Sequence, residues 1–143
     1  MNDSVAADYE ALEARFTAWA QARPDVRALL VVGSRARQEV HPADRWSDLD
    51  LITFVLDVAP YVRDRQWLDA LGDVWLAFLE QTGAEDPEWF IMFEGVRDVD
   101  VVFVALPEDD PAAVARVVQA RGMDVVLRRG CARSWTRTAA SPA

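Results

Sequence analysis

Asp48 and Asp50 stand two residues apart in Trp46-Ser47-Asp48-Leu49-Asp50-Leu51-Ile52, at the opening of an apolar run. On a strand, residues i and i+2 share a face. A rise of about 3.3 Å per residue puts their Cα atoms about 7 Å apart, so their oxygens can converge on a shared ion. A third carboxylate, Asp100, lies inside Val99-Asp100-Val101-Val102-Phe103-Val104. A charge in so apolar a run needs a partner or a metal, because an unpaired buried carboxylate is costly. Hard oxygen donors suit Mg²⁺, which keeps waters and takes substrate phosphates as its remaining ligands. Two ions about 3.5–4 Å apart are the usual arrangement for phosphoryl transfer. Asp100 could also accept a nucleophile's proton. Upstream, Val31-Val32-Gly33-Ser34 ends another apolar run in a turn. Gly33 lets a phosphate approach the backbone, and Ser34 opens a helix whose free amides attract anions. Each part is common by itself. Their order on consecutive elements makes the joint pattern specific.

The elements that must position these residues follow from the apolar spacing. Val5, Tyr9, Leu12, Phe16 and Trp19 recur at helical intervals, which predicts a helix over 4–22 closed by Pro24. Val26–Val32 reads as a buried strand, Ser34–Gln38 as a short helix, and Asp48–Val55 as a second strand. In that strand Asp48, Asp50, Ile52 and Phe54 share one face, and both faces become apolar past its start, so the aspartates sit at the mouth of a covered sheet. Trp67, Leu68, Leu71, Val74, Trp75, Phe78 and Leu79 predict a second long helix over 64–82, with Gly83 past its end and both tryptophans in the core. Glu88–Glu94 and Val99–Leu106 read as a hairpin around Gly95-Val96-Arg97. Asp110-Pro111 opens a third helix that runs to Arg121, and Asp124–Arg128 is a final short strand. This order predicts an α/β (α+β) domain: a mixed sheet of about five strands flanked by helices. One domain over 1–131 and a frayed tail over 132–143 are expected.

Composition excludes several alternatives. All fifteen basic residues are arginine, so there is no Schiff-base or P-loop lysine. His41, beside Pro42 in loop-like sequence, is the only histidine; a catalytic triad or a histidine metal site would rest on that one ring. Cys131 is the single cysteine, which rules out an intrachain disulfide and fits a cytoplasmic setting. A formal net charge of −9 argues against a nucleic-acid binder with a basic stripe. No apolar run approaches the ~20 residues of a membrane span, and the acidic start Met1-Asn2-Asp3-Ser4 is unlike a signal peptide.

Gly33-Ser34-Arg35-Ala36-Arg37, Asp44-Arg45-Trp46-Ser47-Asp48-Leu49-Asp50-Leu51 and Arg97-Asp98-Val99-Asp100-Val101 together resemble the DNA polymerase β-like nucleotidyltransferase superfamily. Within it the chain is most similar to the aminoglycoside (streptomycin) 6-adenylyltransferase group, catalytic domain only. The resemblance spans about residues 1–131 and includes Val125-Val126-Leu127-Arg128-Arg129-Gly130, where Arg128-Arg129 replace a more usual acidic residue. It implies the polymerase β-like fold and transfer of AMP from ATP to a hydroxyl, with release of pyrophosphate. By position, Asp48 and Asp50 would hold Mg²⁺ and Asp100 would complete the site. Gly33 and Ser34 would position the triphosphate, and Arg35 or Arg37 would neutralise it. The resistance enzymes carry a further helical domain that forms much of the acceptor pocket. With the sequence stopping at Ala143, the expectation is that either a partner, a second copy in a homo-oligomer or a helical protein, supplies that wall, or the chain is a truncated or stand-alone domain. The acceptor implied is small and hydroxylated, such as an aminoglycoside. Two other readings stay open: a minimal, antitoxin-like nucleotidyltransferase acting on or binding a small helical protein, and a non-catalytic nucleotide-binding module.

Overall fold

The computed structural model describes residues 3–33, 48–95, 97–123 and 133–136. Helix α1 (Asp3–Gln21) leads into strands β1 (Val26–Val32) and β2 (Leu49–Val55). Helix α2 (Ala59–Arg63) and a 3-10 turn at Gln66–Ala70 precede strands β3 (Val74–Gln81), β4 (Pro87–Phe93) and β5 (Arg97–Ala105). Helix α3 (Ala113–Ala120) and strand β6 (Arg133–Thr136) follow. The strands form one sheet in the order β3-β4-β5-β2-β1-β6. β2 and β5 run parallel, and every other neighbouring pair is antiparallel. The mixed α/β fold is as expected, with six strands among the described residues where about five were expected in all. No helix among the described residues is long and apolar enough to cross a membrane.

Alternation on the central strands sends side chains to two cores. Leu49, Leu51, Val99, Val101 and Phe103 pack with Phe16 and Trp19 of α1 on one face. Ile52, Phe54, Val104, Ala28 and Leu30 pack with Ala113 and Val117 of α3 on the other. Tyr61 of α2 is the hub of the first core. Its ring stacks on Phe103 at 4.7 Å, and its hydroxyl donates to Asp25 at 2.5 Å. The indole N–H groups of Trp67 and Trp89 both donate to its carbonyl, at 3.2 and 2.7 Å. Burial and the Asp25 carboxylate together push the Tyr61 phenol well above its usual range. Because Trp89 belongs to β4, this hub ties the β4–β5 hairpin to the helical layer. At the opposite end of β5, the Asp98 amide donates to the Tyr9 hydroxyl at 3.1 Å, and Arg97 pairs with Asp8 at 2.6 Å. The strand that carries Asp100 is thus held against α1 just before the aspartate.

Two expectations are corrected. The long helix over 64–82 does not form: Gln66–Ala70 makes a single 3-10 turn and Val74–Gln81 is a strand paired with β4. The apolar spacing fits a helix, but Gly72 interrupts it, and six consecutive apolar residues from Val74 to Leu79 satisfy a strand equally well. Pairing along β4 then decides, as tertiary context commonly does over local preference. Gly83 accordingly lies in the hairpin turn, where the Thr82 hydroxyl accepts from the Asp86 amide at 3.2 Å. Trp67 is buried as expected, but Trp75 is 57% exposed. The second correction concerns Arg133–Thr136: they were expected in a frayed tail, yet they pair antiparallel with β1 as an edge strand. The third helix starts at Ala113, two residues beyond the expected first position, while Asp110 still accepts from the Ala112 amide at 2.8 Å. The expected helix at Ser34–Gln38 and strand at Asp124–Arg128 lie outside the described residues.

Buried and exposed positions of the sheet differ in weight. Phe103→Ala, at a fully buried ring, is expected to cost about 3–5 kcal/mol in urea unfolding. Leu79→Ala, at a strand residue 39% exposed, should cost well under 1 kcal/mol, the scale of surface substitutions; equal losses would contradict the strand assignment.

Candidate active site

The site is written in strand register. Parallel pairing sets Leu49 beside Val99 and Asp50 directly beside Asp100. Antiparallel pairing sets Val32 beside Asp50, so Gly33 follows at the same edge. On the other flank, Phe90 lies beside Asp100 and Met92 beside Asp98. β3 extends both rows, with Phe78 beside Phe90 and Leu76 beside Met92. One row therefore reads Val32, Asp50, Asp100, Phe90, Phe78 across five strands. Asp48, Asp98 and Asp100 line a cleft of about 240 Å³ together with Leu76, Phe78 and Phe90.

Gly33 is required by more than the turn. Its φ is +76°, a region that costs an L-residue roughly 1–2 kcal/mol, and a Cβ built on it would lie 2.2 Å from Asp50 Oδ2. The chain passes so close to the carboxylate that only glycine leaves the space open.

The carboxylates repel one another. Burial raises the Asp100 pKa from 3.8 to about 7, helped by the charges of Asp50 and Asp48, by a hydrogen bond with Asp50 and by Glu88. Glu88, on the same face of β4, is likewise raised, first by burial and then by Asp50 and Glu80. Among the described residues, no three acidic, histidine or cysteine side chains are already gathered around one point as a metal would require.

The family model for streptomycin adenylyltransferase matches residues 8–123. The chain belongs to the streptomycin adenylyltransferase family. Its fold is that of the polymerase β-like nucleotidyltransferases. The chain is similar to a solved aminoglycoside 6-adenyltransferase from Bacillus subtilis, at 17% identity and a TM-score of 0.48, over 67% of this chain and 33% of that one. It is also similar to the Cid1 poly(U) polymerase, solved with Mg and 3′-dATP, at 15% identity and a TM-score of 0.51, over 87% of this chain and 37% of that one. The chain thus spans about a third of the length of these structures. No curated protein matches it.

Within this family member, the structure brings Gly33, Asp48, Asp50 and Asp100 to one edge of the sheet, while Ser34, Arg35, Arg37 and His41 lie outside the described residues. Sequence reasoning passed over Asp98, although it stands to Asp100 as Asp48 stands to Asp50, two positions earlier on a strand. Phe78 and Leu76 were hidden because their segment was read as a helix.

Gly33→Ala is expected to lose thermal stability from both the positive φ and the clash. Pairing it with Asp50→Ala should recover only the clash component, which a double-mutant cycle in denaturant would separate. For metal-free protein in chelator, the raised Asp100 pKa means the folded state holds a proton that the unfolded state releases. That contribution is complete below about pH 4 and is lost as pH rises through about 7. Asp100→Asn should flatten this decline and raise Tm at pH 8 relative to the parent chain.

Proposed function

We propose that this domain binds ATP and transfers AMP to a hydroxyl of a small acceptor such as an aminoglycoside, releasing pyrophosphate. The observation that carries this reading is the register that sets Asp50 beside Asp100 with Gly33 at the same edge. Family membership and a fold shared with nucleotidyltransferases support it. Gly33, without a Cβ, lets the backbone and the Asp50 carboxylate approach closely, which would bring a phosphate's metal ligand and the backbone together. ATP as donor also fits a cytoplasmic setting.

In this reading a bond forms between the acceptor oxygen and the α-phosphorus while the bond from that phosphorus to the bridging oxygen of the β-phosphate breaks. Pyrophosphate leaves with the electron pair. The acceptor proton passes to the Asp100 carboxylate, acting as general base. Mg²⁺ fits the donor set on two grounds: every donor is a hard carboxylate oxygen, and the mutual repulsion that raises Asp100 is what a divalent cation relieves. Asp48, Asp50 and Asp100 would hold it, and it would supply charge neutralisation for the phosphates.

Labelled ATP, Mg²⁺ and a panel of aminoglycosides test the reading by pyrophosphate release and label transfer. Asp50→Asn is expected to lower turnover at least about 100-fold with an unchanged fold by circular dichroism. Absence of transfer to every acceptor, or full activity in Asp50→Asn, would count against it.

A further inference from the structure

The cleft beside the carboxylates has an apolar half that phosphate and metal chemistry do not use. On β4 and β3, Phe90 and Phe78 stack with ring centroids 5.2 Å apart and planes 19° from parallel. They continue the row that contains Asp50 and Asp100. Leu76 and Met92 continue the row through Asp98. Leu76 is 51% exposed and Phe78 46% exposed, so this shelf is open to solvent at the mouth of the site. Contiguous exposed apolar surface of this kind marks a binding site on soluble proteins. The cleft of about 240 Å³ is below the ~300 Å³ at which drug-sized pockets begin and suits a single substituted ring.

Charge and direction identify the occupant. The shelf is bordered by the carboxylates of Asp48, Asp98 and Asp100, a setting complementary to a cation and hostile to phosphate. In-line displacement at phosphorus brings the attacking oxygen in opposite the leaving group. With the phosphates on the Gly33 side of the row, the opposite approach runs over β5, β4 and β3. We propose that the Phe78–Phe90 shelf is the acceptor subsite, and that among small hydroxyl acceptors it favours those that present the C–H face of a ring with an ammonium group at its edge. The orientation, acceptor against nucleotide, rests on the nucleotidyl-transfer reading. The ring face lies on Phe78 and Leu76, and the ammonium group meets Asp98.

The test uses 3-(aminomethyl)benzyl alcohol as probe, with benzyl alcohol and ethanolamine as its two halves, followed by the methyl NMR signals of Met92 and Leu76. The amino alcohol should shift both signals and bind on the order of tenfold more tightly than either half, as one added cation or ring contact implies. Phe78→Ser, at an exposed position, and Asp98→Asn should each weaken it by a similar factor. Equal binding of the three probes, or no shift at Met92, overturns the subsite. So does a dimer that hides Leu76 in sedimentation experiments. With any acceptor that is adenylylated, Phe78→Ser should raise KM and leave kcat within about twofold; an unchanged KM overturns the proposal while transfer itself stands. A probe that binds at Met92 in a chain that never releases pyrophosphate leaves a cation-binding shelf but overturns its role as acceptor subsite and the transfer reading with it.

Discussion

The parallel ladder between β2 and β5 holds Asp50 and Asp100 side by side against their own repulsion. Little else in the structure makes sense without that constraint. Two neighbouring carboxylates are an unfavourable local choice, since like charges directly opposite destabilise a sheet. They persist because the strands that carry them are buried on both faces immediately afterwards. Leu51, Phe54, Val101, Phe103 and Val104 anchor the ladder in two cores, one beneath α1 and one beneath α3. The aspartates remain at the edge, where ligands can reach them.

The rest of the fold sets what stands on either flank of that pair. β1 delivers Gly33 so close to Asp50 that a methyl group has no room. β4 and β3 deliver aromatic and aliphatic surface on the far flank. The Tyr61 hub matters here, because Trp89 donates to its carbonyl from β4 and so fixes the strand that places Phe90 beside Asp100. A tightly packed glycine flank and an apolar flank therefore meet at a shared acidic centre. The net charge of −9 favours cationic partners from a distance, and the carboxylates at the cleft focus that preference.

Some of this was legible from residues alone. The Asp48/Asp50 pair, Asp100 and Gly33 were each readable from type and spacing, because a strand's period of two is short and the surrounding apolar runs were unambiguous. The β4–β5 hairpin and the two-faced burial of β2 followed from the same rule. Asp98 obeyed it as well, yet one aspartate beside Arg97 in a turn-proximal position carries no signal until its neighbour across the sheet is known. The segment 64–82 shows the limit from the other side. Its apolar residues fit 3.6 and 2 equally over the six positions from Val74 to Leu79, so local pattern could not choose between helix and strand.

What the sequence determined by itself was the chemistry available: which carboxylates, which glycine, which family, and on which elements most of them ride. The tertiary structure alone decided the neighbours. Register between the distant strands β2 and β5 put Asp100 beside Asp50, and pairing across the β3–β4 hairpin put Phe78 beside Phe90 and made the segment expected as a core helix the exposed strand β3 that walls the cleft. The physical reason is that cross-strand pairing is a long-range interaction. It is selected by the fit of whole strands against a common core, and no window of local sequence contains that information.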